Sequence, residues 1–204
     1  MLSRPTNLTV LTMLTAAVVL AGCSKDNPTD GGQSSVNIDT LLVAEDAYIH
    51  SDVPDGHYGT STELSVVTVV YVGGLTVEYR AFVKLPPLPA SLDLSRLAWA
   101  DLELSYTGTD SSRQIVVKAY PVADDWHEDS ITWNNAPLFD SALFDSARVS
   151  NYKLSINVAP IYRLGDPNKG IMLTTIDGTE QVFHSSETTD SNLAPIIKIG
   201  YTPE

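Results

Sequence analysis

Apolar and polar residues alternate with a period of two over much of the chain, and this alternation predicts β-strands. Residues 97–106, LAWADLELSY, show it most clearly. The face that we expect to be buried carries Ala98, Ala100, Leu102, Leu104 and Tyr106, and the solvent face carries Trp99, Asp101, Glu103 and Ser105. No stretch beyond the N-terminal region has a sustained helical stripe, so we expect an all-β protein.

Further strands are predicted at residues 44–50, 64–72, 75–85, 114–122, 152–158, 170–175, 181–184 and 195–201. Turn sequences such as Pro54-Asp55-Gly56 and Asp177-Gly178 separate them. Eight or nine short strands indicate a single jelly-roll β-sandwich domain over residues 37–204. The continuously apolar run from Val66 to Val72 suits a central strand covered on both faces, or an edge strand that something must shield.

The N-terminus has the pattern of a bacterial lipoprotein signal peptide. Arg4 precedes an apolar run that ends in Leu20-Ala21-Gly22-Cys23, a lipobox sequence. The run is short and interrupted by threonines, which disfavours a membrane span, although an ordinary N-terminal helix is the alternative. We predict that residues 1–22 are removed and that Cys23, the only cysteine, carries lipid and leaves the mature chain without a disulfide.

Residues 23–36 are predicted to form a flexible tether because they are rich in Gly, Pro, Ser and Asp and almost free of apolar residues. The lipid would hold the domain at the bacterial cell envelope, and Lys25-Asp26-Asn27 resembles signals that send lipoproteins to the outer membrane or cell surface. After processing, 11 basic residues face 25 acidic ones, a net charge of −14. Such a field disfavours nucleic acid and strongly acidic polysaccharide as partners.

The stretch DDWHEDSITWNNAP, residues 124–137, admits three interpretations. Trp126 and Trp133 could stack on sugar rings, and the four carboxylates could serve glycoside hydrolysis, which uses two of them. A tryptophan at the end of a β-sandwich more often packs into the core, where its indole N–H donates a hydrogen bond to a carbonyl. We favour the packing interpretation for both tryptophans.

Trp99 is the better candidate for a sugar platform because it falls on the polar face of its strand, beside Asp101 and Glu103. An alternative is that Trp99 packs beneath a loop or beneath residues 138–151. The loop HSDVPDGHYG contains His50, Asp52, Asp55 and His57, which could hold calcium or a transition metal but are more often simply solvated. We find no nucleophile turn, phosphate loop or zinc signature that indicates an enzyme.

Several motifs resemble the DNRLRE domain, which is related to carbohydrate-binding module family 96 and to disaggregatase-related repeats. They are Glu45-Asp46-Ala47-Tyr48-Ile49 with Tyr58-Gly59, Tyr79-Arg80-Ala81-Phe82-Val83-Lys84, Asp125-Trp126-His127-Glu128 with Thr132-Trp133-Asn134-Asn135-Ala136-Pro137, and Phe183-His184-Ser185-Ser186-Glu187. His57 stands where an asparagine is common, and Leu85-Pro86-Pro87-Leu88 replaces a Phe-Asp-Leu-type strand end. The resemblance implies a noncatalytic module that accompanies polysaccharide-degrading or adhesive proteins.

The predicted function is therefore capture of a polysaccharide or surface glycan by a lipid-anchored module. The candidate ligand-binding residues are Trp99, Asp101, Glu103, His57 and Tyr58, and structural calcium is the one cofactor under consideration. A structural or adhesive subunit that binds a surface protein, with residues 66–72 in the contact, is the second hypothesis. A polysaccharide-degrading enzyme is the third.

Overall fold

The computed structural model describes residues 35–109, 115–142, 145–163, 169–176 and 178–203, all of which fall within one compact unit. The predicted signal peptide and tether lie outside the described residues. The strands are β1 Asn37–Leu42, β2 Glu45–His50, β3 Glu63–Val70, β4 Thr76–Lys84, β5 Leu97–Ser105, β6 Val116–Pro121, β7 Asp145–Arg148, β8 Lys153–Asn157, β9 Ile171–Thr175, β10 Gln181–His184 and β11 Ile196–Tyr201. A 3-10 turn spans Leu94–Arg96, and one short helix, α1, spans Ala159–Arg163.

The strands form two sheets, which confirms the predicted all-β sandwich. The smaller sheet has the order β1-β11-β5-β8, and the larger has the order β10-β3-β4-β9-β6-β7 with β2 beside β4. Neighbouring strands in both sheets are antiparallel. The main core lies between the sheets and contains Leu102, Leu104 and Ile197 of the smaller sheet with Val83 and Leu173 of the larger one.

The alternation predicted for β5 holds from Trp99 to Leu104 but is wrong at both ends of the strand. Leu97 is buried and Ala98 is exposed, because the register shifts opposite Gly200 and Tyr201. One extra residue on β5, a β-bulge, reverses which side chain faces the core. Ser105, predicted to face solvent, is buried in register with Lys153 of β8.

The apolar run predicted at residues 66–72 is only partly buried. Val66 and Val67 are buried, but β3 then ends in a hairpin whose tip exposes Val70 and Val72. The run is neither a wholly covered central strand nor a shielded edge strand.

A second apolar cluster covers the other face of the larger sheet. Ile49, Phe82 and Met172 point away from the main core and pack beneath Trp126 and Ile131 of the segment 122–139. Trp126 is only 5% exposed, and its Nε1–H donates to the Lys169 carbonyl oxygen at 2.8 Å. These contacts agree with the packing interpretation of this tryptophan. Both faces of the larger sheet are therefore largely buried.

One carboxyl group is buried where β2 meets the turn after β10. Asp46 has no exposed surface, and its Oδ2 accepts a hydrogen bond from the Ser186 backbone N–H at 2.9 Å, whereas Oδ1 has no hydrogen-bond partner among the described residues. Burial raises the pKa of Asp46 to about 7; the Ser186 N–H opposes the shift, and the charges of Glu187 and Glu128 add to it. The ionised form is thus disfavoured in the folded protein.

This raised pKa predicts that Asp46 destabilises the fold as pH increases. Between about pH 4 and pH 7 the folded state holds a proton that the unfolded chain releases, so the free energy of unfolding falls as pH rises through this window. Across this window, Asp46 lowers the free energy of unfolding by a total on the order of 4 kcal/mol. In Asp46→Asn, urea unfolding should lose this slope and show higher stability than the parent protein at pH 8, because the amide oxygen still accepts the Ser186 N–H.

The control is Asp125→Asn, which changes an exposed carboxyl group and should keep the parent pH dependence. An Asp46→Asn variant whose stability follows the same pH curve as the parent would contradict the buried-carboxyl account.

Candidate functional site

The candidate ligand-binding residues lie on two separate surfaces. Trp99, Asp101 and Glu103 project from β5 on the outer side of the smaller sheet, which we call the tryptophan face. His57 and Tyr58 lie in the loop between β2 and β3. Tyr58 belongs to a group of rings on the larger sheet, whereas His57 is exposed in the loop. A binding role for either set stays a prediction.

The tryptophan face is built by strand register. Gly200 of β11 lies between Trp99 of β5 and Ile38 of β1, and Lys198 lies between Asp101 and Thr40 in the next row. The third row contains Leu42, Ile196, Glu103 and Ser155. Ile38 and Leu42 are 63% and 70% exposed, so this face is open to solvent at its β1 edge.

The Trp99 indole rests on Gly200. A Cβ atom at position 200 would lie 2.2 Å from both Cε2 and Nε1 of the indole. Cε2 is one of the two carbons shared by the indole rings, and Cζ2 lies farther away, at 2.8 Å. An approach in the ring plane would bring the added atom closer to Cζ2, so the ring face, not its edge, lies over the glycine. Trp99 is half-buried, and its indole forms a plate supported by β11.

The two carboxylates beside Trp99 have different surroundings. Glu103 accepts from Lys198 Nζ at 2.8 Å and from Lys153 Nζ at 3.1 Å. Burial favours a higher pKa for Glu103, but these two ammonium groups outweigh it and lower the pKa. The pKa of Asp101 is raised by burial and by the charges of Glu103 and Asp145. Among the described residues, Asp101 has no ion-pair partner and is the carboxylate that remains available to a ligand.

A cleft at the edge of the smaller sheet was not predicted from the sequence. Asn37, Asp39, Arg96 and Tyr201 line it beside the 3-10 turn. Tyr201 donates its hydroxyl hydrogen to Asp39 Oδ2 at 2.9 Å, and the Arg96 guanidinium lies 5.9 Å from the Tyr201 ring centroid. These residues come from β1, the 3-10 turn and the end of β11, which are far apart in the sequence, so no local pattern marks them.

The rings around Tyr58 form the second surface, which we call the tyrosine cluster: Tyr48, His50, Tyr58 and Tyr79. Tyr48 stacks on Tyr58 with ring centroids 4.4 Å apart, and His50 lies 3.8 Å from Tyr79. His50 Nδ1 is buried without a hydrogen-bond partner among the described residues. The sequence singled out Tyr58 but missed Tyr48 and Tyr79 as neighbours.

The loop that suggested a metal site has other contacts. Asp55 Oδ1 accepts from Asn134 Nδ2 at 2.7 Å, and the Asn134 N–H donates to the Pro54 carbonyl at 3.1 Å. The His50 ring lies against the Tyr79 ring at an angle of 32°. Within the described part of the chain, no three His, Cys, Asp or Glu side chains form a group that could hold a metal ion.

Residues 124–137 cover part of the outer face of the larger sheet and are held by several contacts. The Arg80 guanidinium lies 4.5 Å from the Trp133 ring centroid, and Asn135 accepts from the Thr132 N–H at 2.6 Å. Asn135 also donates to the Ser130 carbonyl at 2.8 Å, which closes the turn. These contacts agree with the packing interpretation of this stretch.

Among the described residues, no helix has the length and apolar content needed to cross a membrane.

Comparison with known proteins identifies the fold family. A search of curated proteins found no match. The model of carbohydrate-binding module family 96 matches residues 37–199, from β1 to β11. That match covers both sheets and well over half of the sequence, and the chain therefore belongs to carbohydrate-binding module family 96.

Proposed function

We propose that this protein is a noncatalytic, lipid-anchored module that captures neutral or weakly charged polysaccharide at the bacterial cell surface. Family membership supports carbohydrate as the ligand class. The net charge of −14 predicted for the mature chain supports a ligand that is not strongly anionic. The ligand would lie across the tryptophan face.

The observation that carries this proposal is the placement of the Trp99 indole over Gly200. A flat, supported indole offers one face to the apolar C–H side of a sugar ring and loses little side-chain freedom on binding. Asp101 and Lys198 lie in the neighbouring row, where a carboxylate and an ammonium group can exchange hydrogen bonds with sugar hydroxyls. The arrangement combines a stacking surface with polar contacts on a rigid sheet.

The ion pairs on this face limit the part that Glu103 could play in hydrolysis. Glycosidases commonly use one protonated and one ionised carboxyl group across the scissile bond. Glu103 is held ionised by Lys198 and Lys153, which lower its pKa and make it a poor proton donor. The same ion pairs stiffen the row next to Trp99.

Lipidation would turn weak individual contacts into firm attachment. A single stacked indole and a few hydrogen bonds give modest affinity, but many copies on one cell engage a long polysaccharide together. An acyl anchor at Cys23 and a tether of residues 23–36 would supply that display.

A second candidate function is adhesion to a surface protein. The β3–β4 hairpin exposes Val70, Tyr71, Val72 and Leu75, with Val72 fully exposed, which is unusual for a free hairpin tip. Size-exclusion chromatography of the chain from Ser24 tests the self-assembly form of this candidate, because a strict monomer argues against self-assembly through this hairpin.

Replacement of Trp99 by alanine should lower glycan affinity at least tenfold, about 1.4 kcal/mol, because the stacking plate is lost. The chain from Ser24 is first screened on an array of neutral and uronate polysaccharides, and the best ligand is measured by calorimetry. Gly200→Ala should also weaken binding, since the new methyl group would occupy the space of the indole and displace it.

Tyr152→Ala is the matched control: it removes an exposed ring from the turn before β8, away from the Trp99 row, and should leave affinity unchanged. Unaltered binding by both Trp99→Ala and Gly200→Ala would refute the tryptophan face as the binding surface.

Cys23→Ser should release the protein from the membrane fraction, because the thiol is the acyl acceptor that we propose. Metabolic labelling with a radioactive fatty acid, followed by fractionation, measures both effects. Protease added to intact cells should digest the parent protein if it is displayed at the surface. Label retained by Cys23→Ser would overturn the anchor.

A further inference from the structure

The tyrosine cluster occupies a less covered part of the inner side of the larger sheet. His50 pairs with Tyr79, and Tyr48 pairs with Ala81, a main-core residue, so these side chains share the face that packs against the smaller sheet. Ala81 is fully buried, whereas Tyr48, Tyr58 and Tyr79 are only half-buried. The inner face therefore continues past the main core as an accessible strip of aromatic rings.

The rings are held in place before any ligand arrives. Tyr58 stacks on Tyr48 at 4.4 Å with 24° between the ring planes, and Tyr79 lies 6.5 Å from Tyr48. A Cβ at Gly56 would lie 2.8 Å from Cε2 of Tyr58, so the hydroxyl-bearing edge of that ring also contacts the loop backbone. Such a supported set of rings binds without a large ordering cost.

Three carboxylates lie near this strip: Glu180 accepts a hydrogen bond from Ser65 of β3, Glu63 is the first residue of β3, and Asp52 follows the end of β2. Burial is the largest cause that raises the pKa values of Tyr48 and Tyr79, and the negative charge of Glu180 raises both further. The charge of Glu63 also raises the pKa of Tyr48, and the charge of Asp52 also raises the pKa of Tyr79. These carboxylates therefore make the electrostatic potential at the two phenol rings more negative.

Electron-rich ring faces combined with carboxylates attract an ammonium group, and the attraction strengthens where water is partly excluded. A neutral sugar would use the rings but gain nothing from the charges, and an anionic sugar would be repelled. An amino sugar carries both a C–H face for Tyr58 or Tyr48 and a cationic nitrogen for Glu180 or Asp52.

We propose that the tyrosine cluster is a second glycan subsite, selective for polysaccharide that carries protonated amines. The inference deepens the proposed function, on which it rests for the ligand class, but it uses a different sheet and different residues from the tryptophan face. The two sites would let one protein bind neutral and amine-bearing segments of polysaccharide.

The test is calorimetry on the chain from Ser24 with a glucosamine hexamer and its fully N-acetylated counterpart, below the pKa of the amine. The glucosamine hexamer should bind at least tenfold more tightly and weaken with added salt. Tyr58→Ala should lower that affinity about tenfold. Glu180→Gln should weaken the preference for the amine, and the amide oxygen can still accept the hydrogen bond from the Ser65 hydroxyl. Tyr152→Ala, which removes an exposed ring from the turn before β8, is the control and should change nothing here.

Equal affinity for the two hexamers would overturn the proposal, as would a hexalysine peptide that binds as tightly as the glucosamine hexamer, since that result indicates unspecific attraction to charge. If neutral glycans bind through Trp99 and no amine-dependent binding is found, only this second subsite is refuted. Amine-dependent binding through Tyr58, without any effect of Trp99→Ala on neutral glycans, would refute the tryptophan face alone.

Discussion

Packing of the segment 122–139 against the larger sheet decides which surfaces of this protein remain free. Trp126 fills the second apolar cluster beside Phe82, at a ring centroid distance of 5.7 Å. Lys84 ties the segment to the sheet, because its Nζ donates to the Trp126 carbonyl at 2.8 Å and to Glu45 Oε1 at 3.0 Å. With one sheet largely covered on both sides, the outer side of the smaller sheet is the broad flat surface left for a ligand.

That constraint explains how a member of a carbohydrate-binding family divides its aromatic residues. The indoles of Trp126 and Trp133 cover the outer side of the larger sheet. Trp126 is held there by a hydrogen bond from its N–H, and Trp133 by a cation–π contact with Arg80. The indole of Trp99 instead lies on a glycine of the neighbouring strand. The phenol rings around Tyr48 occupy the strip where the main core ends, and the nearby carboxylates would give this strip the different ligand preference that we propose. Stacking surface and charge are thus distributed over two sheets.

Local patterns predicted much of this fold and less of its sites. β10 begins and ends as predicted, and the outward direction of Trp99 follows from period-two alternation. Strands β1 and β7 were missed because edge strands are held by backbone pairing and need little apolar burial. The bulge at Ala98 leaves no trace in composition. The contact of Tyr48 with Tyr79 depends on the register between β2 and β4, which no single strand encodes.

The most direct test of the division of roles among the three tryptophans is a nitrogen–proton spectrum of their indole N–H groups, recorded while a neutral oligosaccharide from the array is added. The account predicts that the Trp99 signal shifts, while the Trp126 and Trp133 signals stay in place and the Trp126 N–H exchanges slowly with solvent. A shift of the Trp126 or Trp133 signal with a stationary Trp99 signal would contradict it, because the covering segment would then be the surface that binds sugar.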